Sequence, residues 1–209
     1  MFALLIVLTL VVAAVDWWAA YTGNKPWEYV FKPLTMVVLV AAALAISDPS
    51  DSTARTVLVV GLVLSLIGDV CLMLGESYFL QGLVGFLLAH VAYIVALVIL
   101  GVTLVPLLVG LVIVLIAAGV VGSRIVRGAA LKERAMAAPV GVYMCVISLM
   151  VIAAIGTGNP WAIAGSLLFF FSDACIGWDR FVAPLPARSL LVMVTYHIGQ
   201  IGLVLALTV

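Results

Sequence analysis

Two carboxylic acids, Asp69 and Asp173, stand in stretches of a 209-residue chain that are otherwise nearly pure hydrocarbon. Asp69 lies in "LIGDVCLML" and Asp173 in "FFSDACIGW", and both contexts read small residue, Asp, any residue, Cys, aliphatic. An acidic side chain inside a membrane span costs about 2.5–3.5 kcal/mol on insertion scales, so a matched pair asks for a chemical reason. Hydrocarbon surroundings favour the neutral form of a carboxylic acid. One of the pair can therefore keep its proton while the other ionises, which gives an acid and a base from identical groups. The plain alternative is that each Asp only hydrogen-bonds a neighbouring helix.

Other polar groups accompany the pair. One span after each Asp comes a histidine, His90 in "LLAHVAYI" and His197 in "TYHIGQIG". Tyr93, three residues past His90, shares its helix face. Tyr196, His197 and Gln200 form a polar stripe expected to face a bundle interior rather than lipid, as catalytic groups or as interhelical glue. Lys32 in "KPLTM" and Arg180 in "WDRF" fall near the ends of their spans. There they can snorkel to the depth of a lipid phosphate, or serve only to fix topology. Three cysteines, Cys71, Cys145 and Cys175, all in apolar runs and without a CxxC or His/Cys cluster, give neither a disulfide framework nor a metal site.

The elements that must position these groups follow from composition. The chain is 67% hydrophobic and 9% charged, with a mean hydropathy of +1.42. Such values belong to an all-α integral membrane protein. Apolar runs separated by charged or Gly/Pro breaks give eight transmembrane helices, at 2–20, 30–47, 56–74, 78–100, 103–122, 137–156, 161–178 and 189–208, in one domain over 1–209. The first lacks a basic flank and reads as a span rather than a signal peptide. Lys25, Lys32, Arg124, Arg127, Lys132, Arg134, Arg180 and Arg188 fall in loops of one side, and Arg55 alone lies opposite. Basic loops stay cytoplasmic, so both termini are expected on the non-cytoplasmic side. The recurrence of the Asp and His motifs four spans apart admits two four-helix repeats in parallel sense, with each Asp about five residues, or roughly 7–8 Å, from the cytoplasmic end of its span. A net charge of zero gives no reason to expect a nucleic-acid partner.

In order, "KPLTM", "GDVCLML", "GLVGFLLAHVAY", "LFFFSDACIGWDRF" and "YHIGQ" resemble the lysoplasmalogenase family of integral membrane proteins, over about residues 29 to 203. His197 is the position that departs from that family's pattern. The resemblance implies hydrolysis of the vinyl ether bond of a lysophospholipid, releasing a fatty aldehyde and glycerophosphocholine or glycerophosphoethanolamine, with membrane lipids as surroundings and no cofactor. It also implies that Asp69, Asp173, His90 and Lys32 carry the chemistry. Cleaving a vinyl ether needs one acid to protonate carbon and one carboxylate to stabilise the cation and activate water. On this expectation His90 and Tyr93 orient a carboxyl, Tyr196 and Gln200 hold water, and Lys32 and Arg180 grip the phosphate. A proton-coupled transporter and an intramembrane aspartyl protease are the rivals. Against them stand the placement of both Asp near one face and the absence of a fuller glycine signature.

Overall fold

A computed structural model describes residues 1–209, and every regular element in it is helical. Nine α-helices run Phe2–Thr22 (α1), Lys25–Leu44 (α2), Ser52–Met73 (α3), Phe79–Leu100 (α4), Leu104–Ala117 (α5), Ser123–Lys132 (α6), Ala137–Thr157 (α7), Pro160–Phe181 (α8) and Arg188–Leu205 (α9). Eight helical segments are long and apolar enough to cross a membrane, in the order expected from hydropathy. The chain is thus a multi-pass integral membrane protein.

Local chemistry sets the ends. Asp51 caps α3 by accepting from the backbone N–H groups of Thr53 and Ala54, at 2.7 and 2.8 Å. Asn159 caps α8 in the same way, with Pro160 at the first helical position, where no N–H is missed. Gly23 and Gly158 end α1 and α7 in the left-handed conformation that a side chain disfavours.

Three boundaries differ from the sequence expectation. Helix α2 begins at Lys25, because Pro26 suits the first turn of a helix and brings "WEYV" into it. The fifth span continues through a π-helical turn, Ala118–Gly122, into α6, so "SRIVRG" is helix rather than loop. Helix α8 runs on to Phe181, which leaves Asp173 about 12 Å from its end at 1.5 Å per residue, while Asp69 is about 6 Å from the end of α3. The two acids are therefore at unequal depths along their helices, not matched ones.

Seven helices close into a ring, in the order α1, α2, α3, α4, α7, α8, α9 and back to α1. Helix α5 packs outside on α7, and α6 tucks against α7 and α8. Exposure follows this arrangement: 67% of the apolar window of the last span is buried, against 11% for Leu104–Lys132. The α8/α9 contact is backbone to backbone. A Cβ on Gly202 would lie 2.8 Å from Gly165 Cα, and one on Gly199 2.9 Å from the Gly165 carbonyl oxygen. Small residues of this kind replace the hydrophobic drive that lipid cannot supply.

Gly202→Leu should push α9 off α8 and cost about 1–3 kcal/mol, read as a lowered melting temperature in detergent. In a background without native cysteines, Arg127→Cys should label from the cytoplasmic side and Asp48→Cys from the opposite one. The reverse pattern would invert the expected orientation.

Candidate active site

The two aspartates occupy the ring interior in unlike settings. Asp69 on α3 is 1% exposed. Its Oδ1 lies 3.1 Å from Lys32 Nζ on α2, and its Oδ2 accepts a 2.5 Å hydrogen bond from the Tyr196 hydroxyl on α9. Lys32 does not snorkel to the headgroups. It is 5% exposed and turned inward, because a buried carboxylate is a better partner than distant solvent. Gly68 makes room: a Cβ there would lie 2.7 Å from the Phe86 ring, so α4 and its phenylalanine press against the turn that carries Asp69.

Asp173 on α8 has no Lys or Arg partner. The Tyr143 hydroxyl on α7 donates a short hydrogen bond to its Oδ2, and His90 Nε2 on α4 stands 3.7 Å from the same oxygen, too far for a hydrogen bond. His90 is fully buried and neither ring nitrogen has a partner. Phe169 lies between the two sets, its ring centroid 4.7 Å from His90 and 5.2 Å from Tyr196. The service is crossed. The tyrosine of α9 attends the aspartate of α3, and the histidine of α4 attends the aspartate of α8.

The remaining expected residues divide. Tyr93 and Gln200 meet each other rather than a carboxylate: the Tyr93 hydroxyl donates to Gln200 Oε1 at 2.8 Å and lies 3.0 Å from Ser65 Oγ. Tyr93 thus does not orient Asp173, because its ring fills the notch over Gly61. His197 is also apart from both aspartates. Its Nδ1 accepts from the Trp17 indole at 3.2 Å and stands 3.9 Å from Asp16 Oδ2. Arg180 sits at the end of α8, paired with Glu76 and stacked 3.8 Å over the Phe79 ring.

Sequence reasoning missed Tyr143, Asp16 and Arg188. Tyr143 stands alone in an apolar run and gives no signal until a neighbour is known. Asp16, in "AAVDWWAA", carries the same signal as Asp69, a carboxylate inside a span, and both of its oxygens are buried without a hydrogen-bond partner.

Three clefts converge on this region. An apolar one, lined by Phe79, Leu83, Phe86, Tyr143 and Met144 among others, has Asp173 as its one charged wall residue. A polar cleft of about 220 Å³ has Lys32 in its wall with Lys25, Glu28, Tyr29, Glu76 and Arg188. A second, of about 250 Å³, has Glu76, Asp179, Arg180 and Arg188. Leu72 and Ile176 line all three, so the apolar chamber and the charged vestibule share one threshold. Leu72 is three residues from Asp69 and Ile176 three from Asp173, so each shares the helix face of an acid. Lys32 and Arg180 line separate but adjoining clefts, with Arg188 common to both. No group of His, Cys, Asp and Glu side chains is arranged to hold a metal ion.

The mouse and human proteins named lysoplasmalogenase TMEM86B are 36% identical over 74 residues and 34% identical over 76. Each alignment takes in 35% of this chain and 32% of the relative, so the matched stretch is about a third of either protein. No solved structure matches. The model of the YhhN family matches residues 27–207, which takes in α3 to α9 and all but the first two residues of α2. With all but the first span inside that match, the chain belongs to the YhhN family.

Proposed function

We propose that this protein hydrolyses the vinyl ether bond of a lysoplasmalogen, with Asp173 as the acid and Asp69 as the base. The observation that carries the assignment is the unequal company of the two carboxyls. Asp69, ion-paired with Lys32, is the carboxylate. Asp173 has an apolar cleft before it, a tyrosine hydroxyl on one oxygen and a buried histidine without hydrogen-bond partners beside it, and keeps its proton on the other oxygen. The names of the TMEM86B relatives support the substrate class.

The steps balance without a cofactor. Asp173 gives its proton to the β-carbon of the enol ether, the C=C pair forms the new C–H bond, and an oxocarbenium ion results. Water attacks the carbon bearing the ether oxygen while Asp69 takes its proton, giving a hemiacetal. The roles then reverse. Asp173, now a carboxylate, takes the hemiacetal O–H proton, and Asp69 returns its proton to the glycerol oxygen as the C–O bond breaks. Aldehyde and glycerophospho-alcohol leave, and both acids regain their starting forms. Tyr143 holds one oxygen of Asp173 and so aims the other, while Tyr196 and Lys32 take one oxygen each of Asp69, fix that carboxylate in place and leave its remaining lone pairs for the water proton. The apolar cleft takes the alkenyl chain and keeps bulk water from the cation. Lys32 balances the charge of Asp69 from the floor of the vestibule.

Asp69→Asn and Asp173→Asn should each lower aldehyde release from a lysoplasmalogen by about 100-fold or more, measured on the folded fraction because Asp69→Asn also leaves the buried Lys32 unpaired. Near-normal turnover in either removes that residue from the mechanism. Lys32→Met leaves a buried carboxylate uncompensated and should cost about 3–5 kcal/mol of stability. Adding Asp69→Asn should recover the melting temperature but not the activity.

A further inference from the structure

The vestibule carries its charges in opposed pairs, and this bears on which headgroup it accepts. Lys25 pairs with Glu28 at 2.7 Å, Arg188 with Asp179 at 3.4 Å, and Arg180 with Glu76. On the floor Lys32 pairs with Asp69. The basic residues at the mouth are thus matched one for one by acidic ones, and the rim has no net charge. A site built for a net anion would leave its cations unpaired. A rim of paired charges instead suits a ligand that carries one charge of each sign.

From these pairs we infer that the vestibule selects a zwitterionic headgroup with a primary ammonium, of the phosphoethanolamine type, over a trimethylammonium or a net-anionic one. The inference rests on the proposed lysolipid substrate and deepens it. The phosphate exchanges for the carboxylates on Arg180 and Arg188, whose guanidinium forks match phosphate oxygens. Glu76, thereby released, receives the ammonium. Glu76 is 83% exposed and lines both polar clefts, as Arg188 does, so a phosphate and an amine a few bonds apart meet opposite charges across one wall. Ion pairs with such an exposed member are weak, so opening them costs little.

The preference for a primary amine follows from what the clefts offer. Carboxylates are hydrogen-bond acceptors and reward an N–H donor, which a trimethylammonium lacks. A quaternary ammonium is held by several aromatic faces. Here each polar cleft has one aromatic residue, Tyr29 in one and Phe79 in the other, and the face of Phe79 is already covered by Arg180.

The test uses 1-O-alkyl lysophospholipids, which carry no vinyl ether, with one chain and three headgroups: phosphoethanolamine, phosphocholine and phosphoglycerol. Binding to the full chain in neutral detergent is followed by tryptophan fluorescence, beside an aldehyde-release assay on a lysoplasmalogen. The phosphoethanolamine lipid should bind about tenfold tighter than either of the others, the worth of one charge-assisted hydrogen bond. Glu76→Gln should remove most of that preference, and Arg188→Gln should weaken all three lipids together. Equal binding of the three by wild type, or an unchanged ranking in Glu76→Gln, overturns the inference. A protein that ranks headgroups but releases no aldehyde removes the hydrolase proposal and leaves this one standing. One that releases aldehyde with all headgroups bound alike does the opposite.

Discussion

The interior of this bundle is organised around a charge that has nowhere to go. Lys32 and Asp69 are both withdrawn from solvent, and their pairing at 3.1 Å obliges α2 and α3 to stay in register. Tyr196 completes the set from α9, so three ring helices meet at one carboxylate. A buried ion pair is poor value as a stabiliser, since desolvation can exceed the attraction recovered. Folding strength therefore does not account for its presence in a chain this apolar.

Asp173 is the counterpart of that pair in the proposed reaction. Identical side chains are given unlike electrical company by different helices, with the rings of Phe86 and Phe169 packed against the residues that attend them. The crossed service of His90 and Tyr196 means that neither half of the ring holds a complete site. Separate α3/α4 and α8/α9 hairpins would each keep an aspartate and lose the group that attends it. The threshold of Leu72 and Ile176 has the same logic, since it too draws one residue from each half.

Much of this is legible in the sequence alone. Hydropathy places eight spans, because lipid imposes a length and a composition that the sequence must display. The cost of intramembrane acids, together with their shared small residue–Asp–any–Cys context, marks Asp69 and Asp173, whereas Asp16 bears the same cost without that context. What stayed hidden were matters of neighbourhood. A helical face can be read from spacing, but the partner of Tyr93 proved to be Gln200, 107 positions away, and no local pattern encodes that. Lys32 looked like a snorkelling cation, since its position near a span end is the same whether it turns outward to phosphate or inward to Asp69. The run after Gly122 looked like a loop because charge usually marks the end of a span. There the helix persists, with Ile125 and Ala129 buried on one face and the charges spread over the other.

Closure of the ring has a consequence for how the protein is made. Helix α1 joins α9, and the Trp17 indole reaches the Met193 carbonyl across 176 positions of sequence. Helices enter the bilayer one after another as translation proceeds, and they assemble afterwards. The first stave must therefore wait in lipid until the eighth span has been synthesised. Through that interval Asp16 and Asp69 lack the side chains that later face them from α9. Insertion and sealing are separate events in this protein, and the polar heart stays open to the bilayer until the last of these helices docks.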